Sequence, residues 1–248
     1  MYPIDEQYLE IPVEQGGYVL WHRLERATKA QQIQRDTKIK TEEIAHEDKF
    51  ETKVETDLAN IYIWNECARA IRGYSLGNGH TPDEWIEITE EIRNVMPSEH
   101  KAKAATFMFD FDCRIEKANE NGGGFPLLGA TEIRVKLDLP NDTPGYTHVL
   151  RRPNDSEWLG YKNKFNSVYQ VRGSKVPHYF SNANLTAAIT LYDALLIRLE
   201  GATLAGEEFN SDRREEFLKA LDPAHKREVI RVFADYWSVG RANLGTRS

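Results

Sequence analysis

Three segments of this sequence recur in the same order at nearly constant spacing, and a chain that repeats itself is constrained to build the same unit twice. Gly17-Tyr18 followed by Trp21-His22-Arg23-Leu24-Glu25-Arg26 returns as Gly145-Tyr146 followed by Thr147-His148-Val149-Leu150-Arg151-Arg152. The run from Leu58 through Trp64-Asn65 to Gly73 returns as the run through Tyr192-Asp193 to Gly201. Met96-Pro97-Ser98-Glu99-His100-Lys101 returns as Leu221-Asp222-Pro223-Ala224-His225-Lys226. The offsets, taken at His22 and His148, Asn65 and Asp193, and His100 and His225, are 126, 128 and 125 residues. Three collinear matches predict a tandem duplication: a first module over 1–115, a glycine-rich joint over 116–130 around Gly122-Gly123-Gly124, and a second module over 131–248.

Each copy opens as a hairpin. Glu132 to Leu139 alternates polar and apolar, the period of a half-buried strand, and the turn-rich segment Pro140 to Gly145 leads into Tyr146-Thr147-His148-Val149-Leu150. The first copy offers Tyr8 to Val13, a turn at Glu14-Gln15-Gly16-Gly17, and Tyr18 to Leu24. An isolated hairpin is marginal in water, so it needs the helices behind it as a packing partner. Leu58, Ile61, Tyr62, Cys67, Ala68 and Ile71 predict a central helix ending at Gly73, matched by Leu185 to Leu199 ending at Gly201. A last helix is expected after Asp222-Pro223, with Asp222 as its cap, and its first-copy counterpart carries Ala104, Ala105, Phe107, Met108 and Phe109. Short helices are expected at Ala27 to Ile33 and Asn154 to Tyr161. Residues 36–50 are expected as a loop or projecting segment, and Gly173 to His178 as a turn-like, exposed counterpart. The fold class is therefore α+β, a β-hairpin with two to three helices, twice.

The net charge of −7 argues against a chain that coats nucleic acid, because displacing counterions from phosphates needs a basic surface. No window approaches the apolar length of a membrane span, and Asp5, Glu6 and Glu10 exclude a signal peptide at the start. Cys67 and Cys113 lack metal-ligand spacing and read as buried free thiols in apolar helical contexts, which points to a reducing, cytoplasmic setting.

Candidate chemistry is sparse. The triple glycine lacks the Gly-Lys-Ser/Thr ending of a phosphate loop, and no Gly-x-Ser-x-Gly elbow is present. His100 and His225 stand at equivalent helix starts, and His22 and His148 on equivalent strands. Neither set has a second ligand or base at matching spacing in both copies, so no catalytic, metal or cofactor residue is assigned. Asn65 and Asp193 share a position but differ in chemistry, which favours a structural role. The residues expected at contact surfaces are Trp21, His22, Arg26, His148, Arg151, Arg152 and Trp158, all on or just after the hairpins.

The hairpin returning into Leu150-Arg151-Arg152-Pro153-Asn154 and then helices resembles small structural and tail-assembly proteins of bacteriophages, where a Leu-Arg-x-Pro-like turn follows such a hairpin. The first copy departs from that pattern, since Glu25-Arg26-Ala27-Thr28 has no proline. The resemblance implies a part in building or occupying a particle, in the host cytoplasm or the virion. The expected function is a non-enzymatic structural or assembly protein that binds protein partners, as a homo-oligomer or in a multi-protein assembly. Two other classes compete: an enzyme or metal-binding protein with a site between the modules, and a nucleic-acid-associated protein using Arg23, Arg26, Arg151 and Arg152. Fold alone does not choose among them.

Overall fold

The computed structural model describes residues 1–45, 50–75, 83–116, 132–140, 143–165, 168–169, 178–179 and 181–242. The chain divides into two compact units, one inserted in the other: Glu6–Asp110 forms the inserted unit, and Met1–Asp5 with Phe111–Ser248 forms the discontinuous unit. Both are α+β, with antiparallel sheets backed by helices. Among the described residues no helix is long and apolar enough to cross a membrane.

The chain opens with β1 (Tyr2–Pro3) and then builds the inserted unit from β2 (Tyr8–Gln15), β3 (Tyr18–Glu25), α1 (Lys29–Asp36), β4 (Lys40–Ala45), β5 (Phe50–Glu55), α2 (Asp57–Cys67), β6 (Ala68–Arg72), β7 (Ile86–Glu87), α3 (Glu90–Val95) and α4 (Ser98–Phe107). Its main sheet has the order β2-β3-β6-β7. The β2–β3 hairpin pairs Tyr8 with Glu25 through Gln15 with Tyr18, as the alternation of the sequence predicts. Leu20, His22 and Leu24 point inward, and α2 and α4 bury Ile63, Trp64, Cys67, Ala104 and Ala105 against them and against Ile11, Val13 and Ile71. Thr28 caps α1 in a reciprocal capping box with Gln31. Arg35 of α1, itself buried, donates through Nε and Nη2 to Oδ1 of Asn60 at 3.1 and 2.9 Å. Asn60 Nδ2 in turn donates to Thr106 Oγ1 at 2.9 Å, which ties α1, α2 and α4 together.

The discontinuous unit continues with β8 (Asp112–Ile115), β9 (Glu132–Asp138), β10 (Tyr146–Arg151), α5 (Asp155–Phe165), β11 (Val168–Tyr169), β12 (His178–Tyr179), α6 (Ser181–Leu195), β13 (Leu196–Glu200), β14 (Ala202–Leu204), β15 (Glu207–Glu208), α7 (Arg214–Ala220) and α8 (Pro223–Ala242). Its main sheet runs β13-β10-β9-β8. Val135, Leu137, Leu150, Leu191, Tyr192, Leu195, Phe217, Ile230 and Phe233 form its core. Asp222 caps α8 by accepting from Ala224 N at 2.7 Å.

The central helices end earlier than their apolar spacing predicts. α2 stops at Cys67 and α6 at Leu195, and each passes directly into a strand with no loop between. Gly73 and Gly201 do take left-handed backbone, with φ of 90° and 81°, but they end strands rather than helices. Residues 36–50, expected as a loop or projecting segment, contain β4, which pairs with β5 in a two-stranded ribbon. Cys113 lies in β8, not in a helix, and both cysteines are free and buried.

The first boundary also differs from the one read in the sequence. β8 pairs with β9, so residues 111–115 fall with the second module's sheet. Tyr2–Pro3 falls there too, pairing in parallel with Ala202–Thr203 of β14. Backbone pairing overrides sequence adjacency at both places, because an edge strand leaves its N–H and C=O groups without ladder partners. The glycine run over 122–124 and the segment 173–177 lie outside the described residues.

Candidate functional site

Two kinds of place gather polar and aromatic side chains: a largely buried polar cluster beneath each sheet, and an open face of arginine and tryptophan on the inserted unit.

In the inserted unit the cluster starts on β3, where strand alternation turns His22 inward to complete burial. Trp64 of α2 donates its indole Nε1–H to His22 Nδ1 at 3.0 Å. That nitrogen must accept, so the ring's proton sits on Nε2 and is donated to Tyr74 Oη at 2.9 Å. The hydroxyl's own proton is left for Nδ1 of His100 on α4, 3.0 Å away. Burial, with the nearby His100 as a smaller cause, pulls the His22 pKa down to about 4, and burial alone pushes the Tyr74 hydroxyl well up. Both groups are therefore neutral at physiological pH. Beside them Lys101 Nζ donates to Asn65 Oδ1 at 3.2 Å and to the carbonyl of Arg93 at 2.6 Å, and it lies 5.0 Å from the centroid of the Trp64 ring.

The discontinuous unit repeats this arrangement with altered parts. Tyr192 of α6 hydrogen-bonds His148 Nδ1 at 2.6 Å, and Tyr146 Oη hydrogen-bonds His225 Nδ1 at 2.9 Å. Lys226 Nζ donates to Asp193 Oδ1 at 2.7 Å and to the carbonyl of Leu218 at 2.6 Å, 5.5 Å from the Tyr192 ring. Burial drives His148 well below the usual histidine value, with smaller pushes from His225 and Lys226, and drives Tyr192 well above the usual tyrosine value. His148 Nε2 is buried with no hydrogen-bond partner among the described residues, whereas in the other unit Tyr74 fills that place. Tyr2 stacks on Tyr146 at 5.3 Å, and Phe111 meets the His225 ring edge-on at 4.7 Å.

The sequence reading kept the histidines apart, yet each strand histidine shares a cluster with the helix histidine of its own unit. In the inserted unit what joins them is a hydroxyl, Tyr74, that no spacing rule singles out, whereas His148 and His225 bond to separate tyrosines. Asn65 and Asp193 differ in chemistry but have one task, accepting from the following lysine. No group of three His, Cys, Asp or Glu among the described residues is placed to hold a metal ion.

Of the residues expected at contact surfaces, His22 and His148 are wholly buried and Trp158 is 4% exposed, so these three are core side chains and not contacts. Inward alternation buries the histidines, and α5 packs Trp158 inward beside Tyr161 at 5.6 Å between ring centroids. Arg26 donates to the Glu6 carbonyl at 2.7 Å. Arg151 forms a two-pronged ion pair with Glu157 at 2.6 and 2.9 Å. Arg152 lies 5.4 Å from the centroid of the Trp237 ring. Trp21 remains half-buried on the outward face of β3.

That outward face holds the second place of interest. Arg72 lies over Trp21 at 5.2 Å and over Trp85 at 4.9 Å, and Arg23 covers Trp85 at 4.2 Å. The four side chains make a ladder of alternating rings and guanidinium groups, all half-buried. Beside it a depression of about 520 Å³ is lined by Tyr8, Arg23, Arg69, Trp85, Glu87 and Arg93, among others. The matching face of the discontinuous unit is an ion-pair lattice instead, in which Arg134 meets Glu116 and Glu200, and Arg198 meets Glu132 and Glu200.

Comparison with protein-family models, with curated proteins and with solved structures returned no match to this chain.

Proposed function

We propose that this chain is a non-enzymatic structural or assembly protein, a component or assembly factor of a phage-like particle, that binds protein partners through the outward faces of its hairpin sheets. The observation that carries the reading is the Trp21–Arg72–Trp85–Arg23 ladder, which keeps two tryptophans half-open to solvent on and beside an antiparallel sheet. Tryptophan and arginine are the side chains that most often dominate protein–protein binding energy. The hairpin tip beside them adds Tyr18 and Val19, 74% and 45% exposed.

A tandem duplication belongs to the same proposal. Its support is the recurrence in both units of a strand histidine, a helix aromatic, an Asn or Asp acceptor and a lysine bonded to the carbonyl eight residues before it. Two units so related offer two related faces, one built of rings and guanidinium groups and one of ion pairs.

The test is native mass spectrometry of the purified chain, alone and co-expressed with the products of its neighbouring genes. The expected result is a defined oligomer or complex whose dissociation constant rises at least tenfold in the Trp21→Ser, Trp85→Ser double variant. A chain that stays monomeric and uncomplexed throughout, or that carries stoichiometric zinc or iron by elemental analysis, overturns the proposal.

A further inference from the structure

Arg93 is the feature of this surface that its own unit leaves incomplete. It stands in α3, and its Nε is buried, yet its side chain has no hydrogen-bond or ion-pair partner among the described residues. Two other guanidinium groups line the same depression and are engaged. Arg23 donates to Glu10 through Nε and Nη2 at 3.2 and 2.7 Å. Arg69 meets the Glu25 carboxylate and donates to the carbonyls of Glu66 and Ala68. Arg72, which stacks on Trp85, has no carboxylate partner among the described residues either. The Arg93 charge also adds to burial in lowering the Lys101 pKa, so two cations press on this side of the unit. A guanidinium Nε sealed from solvent without an acceptor is costly, and a carboxylate meets a guanidinium fork with two parallel hydrogen bonds.

We propose that the depression bounded by Arg93, Arg69, Tyr8 and Trp85 binds an acidic segment of a partner protein, with one carboxylate seated on Arg93 and a neighbouring aromatic or apolar side chain against Trp85. This rests on the reading of the chain as a protein-binding assembly component and names the chemistry of what it binds. The volume suits a few residues of peptide, lying within the roughly 300–1,000 Å³ typical of ligand sites. Glu10, Glu25 and Glu87 ring the same surface, and the whole chain carries −7. A phosphate track would meet those carboxylates at every step, whereas a single carboxylate on Arg93 does not, and this favours an acidic peptide over nucleic acid.

The experiment is fluorescence anisotropy with the full chain and three labelled probes: a decapeptide carrying one Asp beside one Phe among Gly and Ser, the same peptide with Asn for Asp, and a ten-nucleotide oligo-dT. The Asp peptide is expected to bind at least tenfold tighter than the Asn peptide and tighter than the oligonucleotide, with affinity falling as salt rises. Arg93→Met should weaken it at least tenfold, Arg93→Lys less, and Lys219→Ala, a cation on α7 of the other unit, not at all. An unchanged thermal melt for Arg93→Lys keeps that comparison free of folding effects. Equal binding of the Asp and Asn peptides, undiminished binding by Arg93→Met, or tighter binding of the oligonucleotide overturns the proposal. If it fails while native complexes still form and still depend on Trp21 and Trp85, only the chemistry of the ligand is wrong; if those complexes are absent too, the assembly reading fails with it.

Discussion

His22 occupies a place where an imidazolium would face an indole N–H at one nitrogen and almost no solvent at the other. Its pKa falls from 6.5 in an open chain to about 4 in the folded one, so between those values the unfolded state takes up a proton that the folded state refuses. Stability is therefore complete above pH 6.5 and is lost as pH falls through that window, by roughly 3 kcal/mol once pH 4 is reached. Urea titrations at pH 7.5, 6 and 4.5 should show the loss, and His22→Gln should remove part of it. His148 shifts in the same direction and supplies a further part. A variant with undiminished pH dependence would mean that His22 does not titrate between the two states.

Strand ends make the matching argument at the scale of elements. Gly73 closes β6 with φ of 90°, and a Cβ there would lie 2.8 Å from the carbonyl oxygen of Val19. Gly16 in the β2–β3 turn also has positive φ, 56°, but a Cβ would meet nothing. Gly73→Ala should therefore cost about 2 kcal/mol or more, and Gly16→Ala only about 1 kcal/mol, measured as denaturant midpoints. The hairpins were legible in the sequence because alternation with a glycine turn has one reading. The helix-to-strand junctions were not. Cys67, Ala68, Ala70 and Ile71 are all buried and fit either period, and what turns Ala68 to Arg72 into a strand is pairing with β3, more than forty positions earlier in the chain. The same limit hid most of the site. His22 and His100 stand out by recurrence and Trp21 as an aromatic on the hairpin, but nothing in the spacing of Tyr74, Trp85 and Arg93 marks them, and their importance arises only where distant elements meet.

Insertion of one unit within the other governs what the whole molecule tolerates. Tyr2 and Ile4 are 5% and 2% exposed in the core of the discontinuous unit, and the Ala205 amide donates to Asp5 Oδ2 at 2.9 Å. Deleting residues 1–5 should destabilise that unit by about 3–6 kcal/mol, from two buried side chains at about 1.5–3 each. Hydrogen exchange should then quicken in β9, β10 and β13 while β2, β3 and β6 keep their protection; equal loss in both sets would show that the division into units is not energetic.

The order in which a ribosome delivers the chain gives that arrangement a temporal side. The residues that receive the first strand lie 200 positions downstream, so at roughly 5–20 residues per second they emerge about 10–40 s later. During that interval everything from Glu6 to Asp110 can finish folding, while Tyr2 and Ile4 wait without the core that buries them. A short apolar segment thus stays uncovered through that interval, and the event that hides it is the one that completes the second core.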